Sequence, residues 1–231
     1  MNNVTLIEHT PNPERTVALA ARLCYSPSSI NDLREKLANS DIETFLDKIM
    51  SLGHHSVLEH ASFTFGIEGI SRVTSHQLVR HRIASFSQQS QRYVSHKEEF
   101  TSIMPDTIAE NPEACQIFAF MSETVHKAYA QLVEMGIPAE DARYILPNAT
   151  ETKIIMTMNA RELLHFFALR CCQRAQWEIR QMSIEMLRLV RQVAPVIFRE
   201  AGPGCVGGPC PEGKFCCGQT QEVRDFYKNL E

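Results

Sequence analysis

The chain has 231 residues, 44% hydrophobic and 22% charged, with a formal net charge of -4. A globular chain of this length buries enough surface to fold without a covalent staple, and its ordinary composition excludes disorder, while the acidic balance excludes general coating of nucleic acid. No stretch approaches the ~18 consecutive apolar residues of a membrane span, and Met1 to Glu14 lacks a basic segment followed by an apolar run, so a cytoplasmic protein with no nucleic-acid or membrane partner is expected.

Ser40 followed by Glu43 is a capping-box signature, and Ile42, Phe45, Leu46, Ile49 and Met50 then recur at helical spacing until Gly53. Phe63, Phe65 and Ile67 alternate with smaller or polar residues, which predicts a half-buried strand, and Ile70 to His81 returns to helix. The run from Ser85 to Gln91 has no apolar period and is dense in hydrogen-bonding side chains, so it reads as a structured loop. Pro112 opens an amphipathic helix with Ile117, Met121, Val125, Ala128 and Leu132 on one face, stopped by Gly136 and Pro138. A short helix follows from Asp141 to Leu146, then a strand from Lys153 to Met158 with both faces covered, then a helix from Asn159 to about Cys172.

The stripe Ile179, Met182, Met186, Leu189 and Val193 carries the next helix to Pro195, as core or subunit interface. After Glu200 the composition changes: six of the ten glycines, three prolines and four cysteines fall between Gly202 and Gly218. Residues 1–200 therefore read as a single domain and 201–231 as a Gly/Pro/Cys-rich C-terminal tail outside the core. Helix and strand alternate without a regular βαβ order, which points to an α+β (mixed α/β) fold, a sheet packed by long helices.

Charge is uneven along this frame. From Gly69 to Lys97 there is no Asp or Glu, while Arg72, Arg80, Arg82, Arg92 and Lys97 are basic, and the stretch from His54 to Lys97 holds six of the nine histidines. Such a segment calls for an anion. Arg80, His81 and Arg82 offer fork-shaped donors to a pyrophosphate, and the Ser/Gln run beyond them offers neutral donors to a second phosphate or a base, against the plain reading of a solvated basic face.

Gly202, Gly204 and Gly207 match G-x-G-x-x-G, but a helix precedes them, Pro203 sits in the turn and no helix-forming run follows, so a dinucleotide fold is rejected. The three histidines and Glu59 between Gly53 and His60 lack the helical spacing of a metal motif, and no metal ligand is assigned. Cys171 and Cys172, flanked by Arg170 and Arg174, allow lowered thiol pKa values, although consecutive helical positions diverge and packing suits at least one of them. The cysteines between Cys205 and Cys217 lack paired C-x-x-C spacing and are read as free thiols of an ordered loop; a metal-stabilised interaction module built on them is a competing reading.

The phrase RHRIASFSQQSQRY, Arg80 to Tyr93, resembles the signature of the flavin-dependent thymidylate synthases, in which RHR, about seven residues and a Ser form the defining pattern. GHHSVLEH from Gly53, ARYILP from Ala142, NARELLHFFALR from Asn159 and AQWEIR from Ala175 are similar to further blocks of that family in the same order. The resemblance implies reductive methylation of dUMP to dTMP by a methyltransferase that uses FAD, NADPH and 5,10-methylene-tetrahydrofolate, in a homotetramer with active sites between subunits.

It also implies residue roles. His54, Ser56, Glu59, Arg80, His81, Arg82, Ile83, Asn159, Arg161 and His165 match positions around FAD. Gln77, Arg80, Gln88, Ser90, Arg92, Arg143 and Arg170 match positions around dUMP. Arg170, His54 and Ser90 form the catalytic set, with Ser90 as a substrate ligand because no adjacent general base would activate it. Some members carry Glu where this chain has Gln88, which puts any role needing a carboxylate there in doubt. A guanidinium at the pyrimidine edge, as Arg170 would be, stabilises enolate-like charge when C5 attacks. A non-catalytic flavin- or nucleotide-binding regulator using the same arginines is the alternative.

Overall fold

The computed structural model describes residues 3–38, 40–95 and 101–230; Lys97, the last of the basic residues noted above, lies outside them. In chain order the elements are β1 (Asn3–His9), α1 (Pro13–Leu23), α2 (Ile30–Ala38), α3 (Ile42–Ser51), a 3-10 helix (His55–His60), β2 (Ser62–Ser71), α4 (Arg72–Leu78) and β3 (Ala84–Gln88). The second half holds α5 (Asp106–Ala109), α6 (Pro112–Glu134), α7 (Ala139–Ala142), a 3-10 turn (Arg143–Ile145), β4 (Glu151–Asn159), α8 (Ala160–Arg170), α9 (Trp177–Val193), α10 (Pro195–Phe198), a 3-10 turn (Gly213–Phe215) and α11 (Thr220–Lys228). The fold is α+β, with one antiparallel four-stranded sheet in the order β1-β2-β4-β3. No helix among the described residues is long and apolar enough to cross a membrane.

Side-chain caps set several helix starts. Asn111 accepts from the amides of Glu113 and Ala114 ahead of Pro112, Asn159 accepts from Glu162, and Gln176 accepts from Glu178 and Ile179. The start of α3 differs from expectation by one residue: Asp41, not Ser40, caps it through Thr44 N at 3.1 Å, while the Ser40 hydroxyl turns back to Lys36 O. Gly53 (φ 72°) and Gly136 (φ 86°) follow α3 and α6 in the left-handed region, where a side chain is strained, so both helices stop there as read.

Strand β2 alternates buried and half-buried residues over Phe63, Phe65 and Ile67, and its register against β4 is fixed by Thr64 opposite Thr157 (2.9 Å) and Glu68 opposite Lys153 (3.0 Å). Because β2 runs on to Ser71, the expected helix over Ile70–His81 shortens to α4. β4 buries Thr152, Ile154, Met156 and Met158 and exposes Ile155, so one face is covered rather than both. The expected loop over Ser85–Gln91 is a strand through Gln88: Gln89 N donates to Lys153 O at 2.9 Å and the Gln88 amide to Thr152 Oγ1 at 3.2 Å. An edge strand can be held by such polar pairing without an apolar period to advertise it. The expected helix over Asp141–Leu146 is instead α7 with the 3-10 turn after it.

The chain divides into two compact units, one made largely of Ile67–Arg80 and Phe86–Ile155, the other of Val4–Gly66, His81–Ser85 and the chain from Met156 on. In the second, α1 packs on α2, α3 and the His55–His60 turn, α8 packs on that turn and on α9, and α10 closes against α3 and α9. Phe63 and Phe167 both meet Phe198 edge-on at 5.4 and 6.0 Å. The buried stripe of α9 is Ile179, Met182, Ser183, Met186, Leu187 and Val190, while Leu189 and Val193 are half-buried, because a straight helix drifts from a 3.5-residue repeat.

The segment after Glu200 does not stay outside the core. Cys205, Val223, Tyr227 and Leu230 are buried, and the Tyr227 hydroxyl donates to Cys171 O at 2.8 Å. Arg191 on α9 spends all five of its N–H donors on carbonyls: Phe198, Arg199 and Ala201 at 3.1 Å, Tyr227 at 2.8 Å and Leu230 at 2.7 Å. In the first unit α6 buries only Tyr129 fully; of the expected apolar face Ile117 and Met121 stay 60% and 50% exposed while Val125, Ala128 and Leu132 are half-buried, and Phe120 beside it is 66% exposed.

Candidate functional site

Helix α8 sorts its residues by the 3.6 period. Leu163 and Phe167 face the core, Arg161 and His165 lie one turn apart on the exposed face, and Glu162, Phe166 and Arg170 line a third stripe. His81, in the link from α4 to β3, lies on that stripe and is only 5% exposed. Its Nδ1 meets Glu162 Oε1 at 3.1 Å, its Nε2 accepts from Arg170 Nε at 3.1 Å, and its ring stands edge-on to Phe166 at 4.9 Å. With Nε2 accepting, the proton sits on Nδ1 and points at Glu162. Burial, aided by the Arg170 charge and opposed by Glu162, pushes the His81 pKa down, in keeping with a neutral imidazole. The result is a guanidinium whose plane is fixed at Nε.

His81, Glu162 and His165 could bring three ligand atoms within 4.8 Å of one another. A cation there would have to displace the Arg170 bond and face its charge, so this geometry serves orientation of Arg170 rather than coordination.

On the exposed face, Arg161 pairs with Glu59 of the His55–His60 turn at 2.5 Å. His54, half-buried at the start of that turn, is held by the Tyr25 hydroxyl at 3.3 Å from Nδ1. Ser56, Arg82 and Ile83 are exposed. Asn159 is committed to the α8 cap through Oδ1 and is half-buried.

The second cluster lies in the other unit. Arg92 pairs with Glu140, and Arg143 at the end of α7 donates Nε to Glu140 O at 3.0 Å. Ser90 Oγ accepts from Arg92 N at 3.1 Å, which fixes the turn leaving β3. Arg72, read from the sequence only as part of a basic segment, donates to Gln89 O at 3.0 Å while its Nε is buried with no hydrogen-bond partner among the described residues. Desolvation, and then the nearby Arg143 charge, push the Arg72 pKa down. An anion placed between these two guanidiniums would relieve their repulsion and could take up the unspent donor. Gln77 lies half-buried on α4, and Arg80 is exposed after it. The side chains of Arg80 and Arg82 make no hydrogen bond or ion pair among the described residues.

The ten flavin-matched positions, Arg80 apart, belong to the unit that holds α8, and the seven dUMP-matched positions, Arg170 apart, belong to the unit that holds α6. Glu162, Tyr25 and Glu140 escaped the sequence reading, and Arg72 entered it only as one of a basic run. Their partners are far away in the chain, and only the acid-free basic run gave a signal, for Arg72. Cys171 settles as a packing residue: burial pushes its thiol up to about 12.

A family model described as thymidylate synthase complementing protein matches residues 5–196. A protein of Geobacter sulfurreducens named flavin-dependent thymidylate synthase is 62% identical over 98% of both chains. Proteins of the same name from Clostridium tetani (48% identical, over 97% of this chain and 96% of that one) and Pyrococcus horikoshii (44%, over 100% and 98%) are similar along their length as well. With the matched model covering both units' site residues, the chain belongs to the thymidylate synthase complementing protein family.

Proposed function

We propose that this protein is a flavin-dependent thymidylate synthase, a methyltransferase that converts dUMP to dTMP with 5,10-methylene-tetrahydrofolate as carbon donor and NADPH as reductant of FAD. The observation that carries the reading is the 62% identity over nearly the whole chain to a protein of that name, across a segment in which Arg170, His81 and Glu162 interlock. Residues 1–200 form the catalytic domain in this reading, and 201–231 extend it.

The residues fit a dinucleotide flavin. Arg80 and Arg82 are exposed guanidiniums with no ion-pair partner among the described residues, suited to a pyrophosphate, and Arg161, His165 and His54 with Ser56, Glu59, Ile83 and Asn159 supply polar and apolar edges for the rest. When bound, reduced FAD supplies the hydride, so no protein nucleophile is required. The dUMP phosphate replaces Glu140 as the partner of Arg92 and Arg143, with Ser90 and Gln77 as neutral donors and Gln88 adding an amide without a repelling charge. Arg170, locked by His81, faces charge developing on the pyrimidine when C5 attacks.

The exposed Ile117, Phe120 and Met121 and a 460 Å³ apolar cavity beside them support burial of α6 in a homotetramer whose active sites lie between subunits. Eight free cysteines support a cytoplasmic setting. Purified protein should be yellow and release tritium from 5-tritiated dUMP when NADPH and methylene-tetrahydrofolate are present. Flavin uptake without dTMP formation would instead indicate a non-catalytic regulator.

A further inference from the structure

The family match ends at residue 196, yet the chain beyond it returns to the helix that carries Arg170. Helix α8 finishes at that residue: the Cys171 amide donates to Phe167 O at 3.0 Å and closes the last turn, and the Cys172 carbonyl accepts from Ala175 N at 2.9 Å. The last carbonyls of a helix have no partner within it, and a terminal turn without outside bonds frays. Cys171, fully buried, has its carbonyl satisfied from 56 residues away, by the Tyr227 hydroxyl at 2.8 Å.

Tyr227 is itself held on several sides. It is buried, and desolvation pushes the pKa of its phenol up, which keeps the hydroxyl protonated and donating. Its own carbonyl accepts from Arg191 on α9 at 2.8 Å. Gly202 passes so near the ring that a Cβ there would meet Cδ1 at 3.1 Å. Arg224, one turn earlier on α11, donates to Cys205 O at 2.8 Å and Gly208 O at 2.6 Å, which ties the helix to the segment before it.

The guanidinium end of Arg170 is set by the bond from Nε to His81. A long, flexible side chain keeps one pose only if its backbone is as fixed as its tip, and small displacements of a group that meets developing charge are costly in rate.

We propose that Tyr227 is a positioning residue for Arg170: its hydroxyl pins the last turn of α8 through Cys171 O, so the segment after Glu200 holds the backbone end of the arginine while His81 holds the guanidinium. A bond that served only to anchor α11 would leave turnover indifferent to it. The effect on turnover rests on the reading of Arg170 as the group that faces the pyrimidine; the pinning of α8 does not.

The test is Tyr227→Phe, which keeps the ring and removes the donor. With flavin content matched, the variant should lower kcat for dTMP formation by about 10-fold and leave KM for dUMP little changed. In an Arg170→Ala background the same substitution should change kcat by less than about 2-fold, because the group to be positioned is gone. Equal losses in the two backgrounds, or no loss in the wild type, overturn the proposal. Since Tyr227→Phe can also loosen α11, a second measurement uses the unsubstituted chain: deuterium uptake at the Cys171 amide should keep pace with that at the Tyr227 amide, and exchange of either one well ahead of the other overturns the pinning. This second arm needs no turnover. A chain that forms no dTMP would therefore fail the enzymatic reading while the exchange rates still decide whether α11 braces α8.

Discussion

Arg170 and Arg143 carry the same charge in different mechanical settings, and their loss should be felt in different constants. Arg143 is tied to Glu140 O at one nitrogen and serves, in the proposed site, a phosphate whose charge does not change during reaction. Arg143→Ala should therefore raise KM for dUMP more than it lowers kcat. Arg170 is held at Nε by His81 and, in the proposed site, faces charge that grows only in the transition state, so Arg170→Ala should lower kcat by ~10²-fold. Steady-state kinetics with flavin content matched decide this, and a normal kcat with only a raised KM in Arg170→Ala would contradict it.

His81 makes a second prediction. Its folded pKa lies below the ordinary 6.5, chiefly through burial, so above that pH both folded and unfolded states hold it neutral and its contribution is fully present. As the pH falls below 6.5 the unfolded chain takes up the proton first, and stability is lost until the depressed folded pKa is reached. Melting temperatures of the wild type and His81→Asn between pH 8 and about 5 should converge on acidification, and parallel curves would remove His81 as the source.

Helix α8 begins at a residue that caps it and that the proposed function also places beside flavin. Asn159 caps it through Glu162 N at 2.9 Å, so Asn159→Ala should cost about 1 kcal/mol, a drop in Tm of roughly 2–4 °C, whatever happens to flavin. Asn159→Asp keeps the cap but puts a carboxylate where the amide stood. It should hold the melting temperature while weakening flavin retention, and retained flavin in a stable Asn159→Asp would separate this residue from the cofactor. The helix start at Asn159 was legible in advance, as were the helix stops at Gly53 and Gly136, because each is a local event within one turn of chain, whereas the cap of α3 was read one residue early, at Ser40 in place of Asp41. β3 was not legible, since its evidence lies across the sheet in the Gln89 to Lys153 pairing and its own residues are polar. The basic members of the site stood out through the missing acids between Gly69 and Lys97. Glu162 and Tyr25 did not, because the bonds that give them meaning span 81 and 29 residues.

Association is the property that the exposed face of α6 bears on most directly. A helix that leaves Ile117, Phe120 and Met121 in water gains by covering them, and a charge placed there opposes that gain. In the proposed tetramer, Phe120→Glu/Met121→Glu should reduce the mass measured by light scattering from four chains to fewer, with the far-ultraviolet circular dichroism unchanged. A double variant that keeps the wild-type mass would place the interface elsewhere.

Arg191 binds carbonyls from α10, the link after it and both Tyr227 and Leu230 to a single side chain on α9. Because these five acceptors share one donor group, they cannot be released one at a time without stranding N–H groups that the others still confine. The end of the chain therefore opens as a cooperative unit with the far end of α9 rather than fraying, and backbone amides of α11 should exchange with solvent at rates like those of α9. Arg191→Lys keeps the positive charge and loses the fork, so it should set the two rates apart.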